Sequence, residues 1–284
     1  MSKRLFPSPA PWFGLDPATL RFLEIHQARA VAGAGRCWRD LGDAVLLHTP
    51  DDPEPFFNRL SAVRWADDAA AFDRRLAEAL VLFATLGRRP YVWTVPGLST
   101  PGDIDRRLAA NGFADLGGGY DMLLVLDPRR ERPVAVPPEL RIERWSRSTP
   151  AKIPVRAAEV ALVIADSFGM EPARRPGLER EVGAALASPD FHACLVRWDG
   201  EPVATGQRFT FEGASYLSSI GTRPGWRGRG LGGLVSRILA ADSLDAGGRY
   251  VYLGVHAENE TAIAVYRRAG FAILGGRSAD MLLR

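Results

Sequence analysis

Two stretches of this 284-residue sequence carry residue types at spacings that chemistry requires. The first runs Gly221-Thr222-Arg223-Pro224-Gly225-Trp226-Arg227-Gly228-Arg229-Gly230-Leu231-Gly232-Gly233. Glycines in series let backbone N–H groups converge on one point with no side chains in the way. A helix is expected to begin at Leu231, so its N-terminus adds about half a positive charge to the whole charges of Arg227 and Arg229. Together they make an anion site suited to a diphosphate. A plain surface turn does not account for Gly232 and Gly233 at a helix start, where each costs up to about 1 kcal/mol relative to alanine.

The second stretch runs Asn259-Glu260-Thr261-Ala262-Ile263-Ala264-Val265-Tyr266-Arg267-Arg268-Ala269-Gly270-Phe271. Asn259 suits an N-cap, and Gly270 suits the position just past a helix end. Helical spacing puts Ala262, Val265, Tyr266 and Ala269 on one face, with Tyr266 as its only polar tip. A phenol placed there can give a proton to a leaving thiolate. The competing reading is a core tyrosine bonded to backbone.

Gly228, Gly230 and Gly233 also fit the dinucleotide pattern G-x-G-x-x-G. That pattern needs its first glycine at the strand end, whereas Arg223-Pro224-Gly225-Trp226 intervene here. The 56 residues after Gly228 are too few for the sheet such a fold requires, so a nicotinamide cofactor is not expected. No Ser/His/Asp set, carboxylate pair or metal-ligand spacing competes.

The elements that must position these residues are legible in the second half. Strands are expected at Leu140–Trp145, Phe191–Trp198, Pro202–Phe211, Ser215–Thr222 and Tyr250–His256, with a tight turn at Asp199-Gly200. Helices are expected at Ala151–Phe168, Leu178–Leu186, Leu231–Asp245 and Thr261–Ala269. Mixed strands with interleaved helices make this an α/β or α+β chain.

The two halves end alike. Tyr91-Val92-Trp93, Asn111-Gly112-Phe113 through Gly118, and Asp121-Met122-Leu123-Leu124 recur as Tyr250-Val251-Tyr252, Ala269-Gly270-Phe271 through Gly276, and Asp280-Met281-Leu282-Leu283. The offsets are 159, 158 and 159 residues, which marks an internal duplication. Between them lies Asp127 to Leu140, with four prolines among charged residues, the composition of an extended linker. The first half has no equivalent of the glycine loop. It reads Arg64-Trp65-Ala66-Asp67-Asp68-Ala69, where two aspartates cap a helix but repel a diphosphate, and Arg106 or Arg107 stands where Tyr266 aligns.

Composition excludes several classes. Lys+Arg total 36 against 33 Asp+Glu with no long basic run, so no nucleic-acid partner is expected. Only Lys3 and Lys152 are lysines. Cys37 and Cys194 are too far apart in sequence for a metal motif and are expected as buried thiols. No apolar run reaches the roughly 18 residues of a membrane span, and prolines interrupt the N-terminus where a signal peptide needs an apolar core. A cytoplasmic protein without a membrane partner, monomer or homodimer, is expected.

Arg227-Gly228-Arg229-Gly230-Leu231-Gly232 resembles the R/Q-x-x-G-x-G/A pyrophosphate loop of the GCN5-related N-acetyltransferases, the GNAT family. Asn259, Ala262, Tyr266 and Gly270-Phe271 resemble that family's N-x-x-A-x-x-x-Y-x-x-x-G-F helix. The resemblance covers roughly Leu140 to Arg284. It implies two tandem GNAT-like domains, each a mixed, mostly antiparallel twisted sheet flanked by helices: a degenerate domain over 1–130, a linker over 131–139 and a catalytic domain over 140–284. It further implies transfer of an acetyl group from acetyl-CoA, the co-substrate, to a primary amine of a small molecule. Backbone groups of Ile220, Gly221 and Thr222 would bond the pantetheine, and Asn259 its arm. Arg227, Gly228, Arg229, Gly230, Leu231, Gly232 and Gly233 would hold the diphosphate, and Tyr266 would be the general acid.

Many family members carry a glutamate on the strand before the loop. Here that strand, Ser215-Tyr216-Leu217-Ser218-Ser219-Ile220, has no carboxylate. Ser218, Ser219, His256 and Glu258 are nearby polar groups, and none is assigned as the base. The alternative is therefore a CoA-binding sensor or structural pseudoenzyme without turnover. No motif identifies the acceptor.

Overall fold

The computed structural model describes residue 5 and residues 11–130, 136–146 and 149–284. The expectations for most of the extreme N-terminus (1–4 and 6–10) and for residues 131–135 of the linker lie outside the described residues. The first half contains α1 (Pro17–Ala32), β1 (Cys37–Asp40), β2 (Val45–His48), β3 (Arg59–Ser61), α2 (Ala69–Thr85), β4 (Tyr91–Thr94), α3 (Ile104–Ala110), β5 (Phe113–Asp115) and β6 (Gly119–Leu124). The second contains β7 (Leu140–Ser146), α4 (Ile153–Phe168), α5 (Arg175–Ala187), β8 (Phe191–Trp198), β9 (Glu201–Phe211) and β10 (Ala214–Thr222). It continues with α6 (Leu231–Asp245), β11 (Tyr250–His256), α7 (Glu260–Arg268), β12 (Phe271–Leu274) and β13 (Ala279–Leu283).

Local chemistry explains the boundaries. The β8–β9 hairpin turns on Asp199 and Gly200, at φ 47° and 86°, the two positive values that a two-residue turn needs to match strand twist. The Asp68 carboxylate accepts from Ala71 N at 2.8 Å and caps α2. Asn259 Oδ1 accepts from Ala262 N at 3.0 Å and caps α7. Cys194 is buried, but Cys37 is exposed, because β1 is an edge strand whose four residues all face solvent. Among the described residues no helix is long and apolar enough to cross a membrane, and no group of three or more His, Cys, Asp or Glu is placed to hold a metal.

The strands form two mixed, mostly antiparallel sheets in the orders β1-β2-β3-β4-β13-β5 and β12-β6-β11-β10-β9-β8-β7. The last strand of each half therefore lies in the other half's sheet. β6 pairs with β11 and β12, and β13 pairs with β4 and β5. The near-identical sequences Asp121-Met122-Leu123-Leu124 and Asp280-Met281-Leu282-Leu283 present the same alternating faces, so either strand satisfies either slot.

The exchange also fixes the true equivalence of the halves. Asp280 sits opposite Trp93 and Leu282 opposite Tyr91, while Asp121 sits opposite Gly254 and Leu123 opposite Tyr252. Tyr91 thus corresponds to Tyr252 rather than Tyr250. The two-residue slip keeps every side chain on its face, which hid it from the sequence comparison.

Alternation divides the core. Leu123, Tyr216 and Tyr252 pack on one face of the second sheet with Phe13, Leu20 and Leu23 of the first half and Val160 of α4. Met122, Leu217 and Leu253 pack on the opposite face with α6 and α7. One core is therefore shared by both halves, with α1 buried in it.

Candidate active site

The site is built where two strands separate. β10 and β11 run parallel, paired from Ala214 with Tyr250 to Leu217 with Leu253. Beyond that point β10 bulges away, its register with β9 shifting between Ser218 and Gly221 around Ser219 at φ 51°. β11 continues from Gly254 to His256 against β6 instead. The polar edges of the two strands are left facing one another across an opening in the sheet. The first half keeps the same kink, with Ala62 at φ 51° two residues past the Leu60–Val92 pair.

At the end of β10 the backbone turns into the glycine loop. Gly228 and Gly230 both sit at φ +78°, and a Cβ on either meets nothing within 4 Å. They are glycines for the backbone conformation rather than for lack of room. Gly230 is the N-cap of α6 and supplies no side-chain cap. Among the described residues, no protein acceptor receives the N–H groups of residues 228 to 233. Uncapped N–H groups at the positive end of a helix are the donors that a diphosphate requires, so the residues present fit that group. Leu231 contributes through its backbone, since its side chain is buried. Gly221 is constrained differently: a Cβ there would lie 2.6 Å from Ser167 Cβ, so α4 closes that side of β10.

The arginines divide their work. Arg227 donates to Ser167 O at 2.8 Å and to Thr222 O at 3.3 Å, which ties the loop to the end of α4 while leaving its charge uncompensated by any carboxylate among the described residues. Arg229 lies over the rings of Trp226 and Trp198, 4.8 and 5.1 Å from their centroids. That stack holds its charge beside the loop. Arg223 is neutralised by Asp166 at 2.7 Å and Glu201 at 2.5 Å.

Tyr266 is buried, 8 % exposed, on the face of the sheet that carries α6 and α7. Its ring meets Phe271 edge-on, and its hydroxyl has no hydrogen-bond partner among the described residues. Burial, with a smaller contribution from Tyr216, pushes the phenol up to about 12, so it stays protonated at neutral pH. A Cβ on Gly233 would lie 3.8 Å from Val265 Cγ1, which brings the first turn of α6 against the residue before Tyr266. Asn259 stands exposed at the head of α7, its Oδ1 already spent on the cap.

β10 itself carries no carboxylate. The structure brings one from elsewhere: Asp121, on the exchanged strand β6, faces Gly254 at the start of the opening. Gly254 is exposed, and a Cβ on it would lie 3.4 Å from the Tyr216 hydroxyl, 3.5 Å from Gln27 Nε2 and 3.7 Å from Asp121 Oδ1. Gln27 donates to Asp121 Oδ1 at 3.2 Å. Burial and the neighbouring Glu24 raise the Asp121 carboxyl to about 7, against the opposing pull of Arg59 and Gln27.

The corresponding loop of the first half is closed on itself. Counted back from the helix ends, the position of Tyr266 is held by buried Leu108 rather than by Arg106 or Arg107, so this copy has no hydroxyl there. The neighbouring Arg107 bonds Asp67 Oδ1 at 2.5 Å and Asp67 O at 2.8 Å, and Asp68 caps α2.

Residues 162–271 match the Acetyltransferase (GNAT) family model. N-alpha-acetyltransferase RimI of Mycobacterium tuberculosis is 43 % identical over 99 residues, 32 % of this chain and 59 % of that protein. The chain spans between 16 % and 59 % of the lengths of the curated relatives it matches. Its fold is similar to that of a GCN5-related N-acetyltransferase from Kribbella flavida, with a TM-score of 0.64 at 20 % identity over 92 % of this chain and 95 % of that one. It is also similar to a tandem GNAT protein from the clavulanic acid biosynthesis pathway, with a TM-score of 0.57 at 18 % identity over 76 % and 70 % of the two chains. At those identities the likeness concerns the fold: two tandem GNAT-like domains. The glycine loop and the Tyr266 helix both lie inside the segment 162–271, so it is the second half of the chain that is similar to the GNAT acetyltransferase family.

Proposed function

We propose that this protein is an acyl-CoA-dependent N-acetyltransferase that moves an acetyl group from acetyl-CoA to a primary amine of a small molecule. The observation that carries the reading is the uncapped start of α6, where N–H groups without acceptors among the described residues lie at the end of the strand that opens the sheet. Acetyl-CoA, when bound, supplies an activated thioester. Residues 228 to 233 would hold its diphosphate with backbone N–H groups, and the charges of Arg227 and Arg229 would add to them. The free edges of Ile220, Gly221 and Thr222 would bond the pantetheine, with Asn259 beside its arm.

Tyr266 acts on the leaving group. Its hydroxyl is protonated at working pH and has no competing acceptor among the described residues, so it is available to donate to the departing sulfur as the C–S bond breaks. The first half favours a small acceptor, because α1 packs on the sheet face beside the opening, with Gln27 on Asp121. The name of the Mycobacterium tuberculosis relative, an N-alpha-acetyltransferase, accords with an amine acceptor.

The test is thermal unfolding with acetyl-CoA, and with NADH as control, followed by thiol release with a panel of amines. Ligand at about 100 times its dissociation constant stabilises by roughly 2.7 kcal/mol. Stabilisation by acetyl-CoA alone with thiol release establishes the activity. Stabilisation without release from any amine points to a sensor instead.

A further inference from the structure

The general base missing from the catalytic half has a candidate in the other half. We infer that Asp121, carried into the second sheet on the exchanged strand β6, takes the proton from the acceptor amine. The inference rests on the acetyltransferase reading above and assigns one of its steps.

Three observations support it. The first is place: Asp121 is cross-strand from Gly254, the first residue of β11 beyond its pairing with β10, so the carboxylate stands at the apex of the opening. Gly254 shares the face of Tyr252, whereas Tyr266 packs on the face of Leu253. Acid and base thus approach the opening from opposite sides of the sheet, which suits an acceptor entering from one side and a thiolate leaving on the other.

The second is room. The two halves carry the same aspartate in the same slot, but its neighbour differs. Asp280 lies cross-strand from Trp93, while Asp121 lies cross-strand from exposed Gly254, which has no side chain. Only the copy beside the glycine loop has no side chain cross-strand from its aspartate.

The third is the state of the group. Gln27 occupies one oxygen, and the other accepts no hydrogen bond from the described residues. The ionisable groups facing it are Glu24 on α1, Arg59 on β3, Tyr216 on β10 and Tyr252 on β11. Glu24 is paired with Arg64 at 2.5 Å, and Arg59 stacks on Phe56 and Trp93 at 4.2 and 4.4 Å. None bonds Asp121 directly, and burial raises its carboxyl to about 7, where a base can exchange protons at neutral pH.

The step balances as follows. Asp121 removes one proton from the ammonium, freeing the nitrogen lone pair. The nitrogen bonds the thioester carbonyl carbon, the C–S bond breaks, and Tyr266 gives its proton to the sulfur. The second nitrogen proton returns to the Tyr266 phenolate through water, and Asp121 releases its proton to solvent. Ammonium and thioester become amide, thiol and one free proton.

The experiment compares wild type with Asp121→Asn, Gly254→Leu and the control Asp280→Asn. It measures stabilisation by acetyl-CoA, kcat/KM for an amine across pH, and carboxyl titration by NMR on aspartate-labelled protein. Asp121→Asn should keep the acetyl-CoA shift, lose at least 100-fold in kcat/KM at neutral pH, and lose the acidic limb of the profile. It should also lose a carboxyl signal that titrates near pH 7 in the wild type. Gly254→Leu, which puts a side chain cross-strand from Asp121, should lose turnover with acetyl-CoA binding retained, and Asp280→Asn should stay within threefold of wild type. An active wild type whose Asp121→Asn variant keeps its rate and limb overturns the assignment but leaves the acetyltransferase reading intact. An Asp121 carboxyl that titrates near pH 4 overturns it whatever the rates. A wild type that binds acetyl-CoA and acetylates no amine overturns both.

Discussion

Replacing Tyr266 by phenylalanine separates a catalytic hydroxyl from a core tyrosine, because the two roles predict opposite patterns. A buried tyrosine whose hydroxyl bonds backbone loses about 1 kcal/mol of stability when that oxygen is removed. Tyr266 has no such bond among the described residues, and its ring packing on Phe271 is kept by phenylalanine. The expected loss on unfolding is therefore under about 0.5 kcal/mol. Turnover should behave differently. A positioned proton donor contributes roughly 10²–10⁴ in rate, or about 3–5 kcal/mol of barrier. Urea unfolding measures the first quantity, and thiol release at saturating acetyl-CoA measures the second. Since burial pushes the phenol up to about 12, the wild-type profile should also show no alkaline fall due to this group below about pH 11. A variant that loses 1 kcal/mol or more of stability but keeps its kcat would refute the role given to the hydroxyl.

Three further outcomes follow from the same structure. Gly230→Val places a β-branched residue at φ +78°, a strain of at least about 1–2 kcal/mol. The protein should still melt cooperatively while the stabilisation by acetyl-CoA disappears, and a retained shift would remove the loop from the binding site. Asp121→Asn should raise stability above neutral pH: folding raises this carboxyl from 3.8 to about 7, so the wild type is most stable below pH 4 with respect to this group and loses that contribution as pH rises through 7. The gain at pH 8 is at most about 4 kcal/mol, and equal denaturation curves for the two proteins at pH 8 would contradict it. Finally, residues 136–284 expressed alone lack β6 and the α1 side chains Leu20 and Leu23 in the core. They should aggregate until the first half is supplied in trans, whereas a soluble, acetyl-CoA-binding fragment would show that β13 can take the vacant slot.

Much of the second half could be read directly from its residues. The Asp199-Gly200 turn, the cap at Asn259 and the glycine loop are local features, set by backbone conformation and nearest neighbours. The strand exchange was not legible, because Asp121-Met122-Leu123-Leu124 and Asp280-Met281-Leu282-Leu283 are nearly the same strand and their alternation specifies a slot without saying whose. Asp121 was missed for the same reason. A search for a base confined to residues near the glycine loop cannot find a carboxylate delivered from about a hundred residues upstream. One signal was present: the same aspartate in both copies, opposite a tryptophan in one and a glycine in the other. It becomes visible only after the register has shown that Tyr91 matches Tyr252.

The reciprocal exchange of β6 and β13 also bears on how such a pair can change over generations. After a duplication, a copy that loses its ligand site is ordinarily dispensable, and deletions can trim it away. Here the silent copy holds a central strand of the working sheet, and the working copy holds one of the silent sheet. Substitutions can erase the first half's loop, as Asp67 and Asp68 show, but loss of the segment as a unit would break the half that remains. The exchange acts as a ratchet: each half is free to drift in its loops and bound to its partner through its last strand.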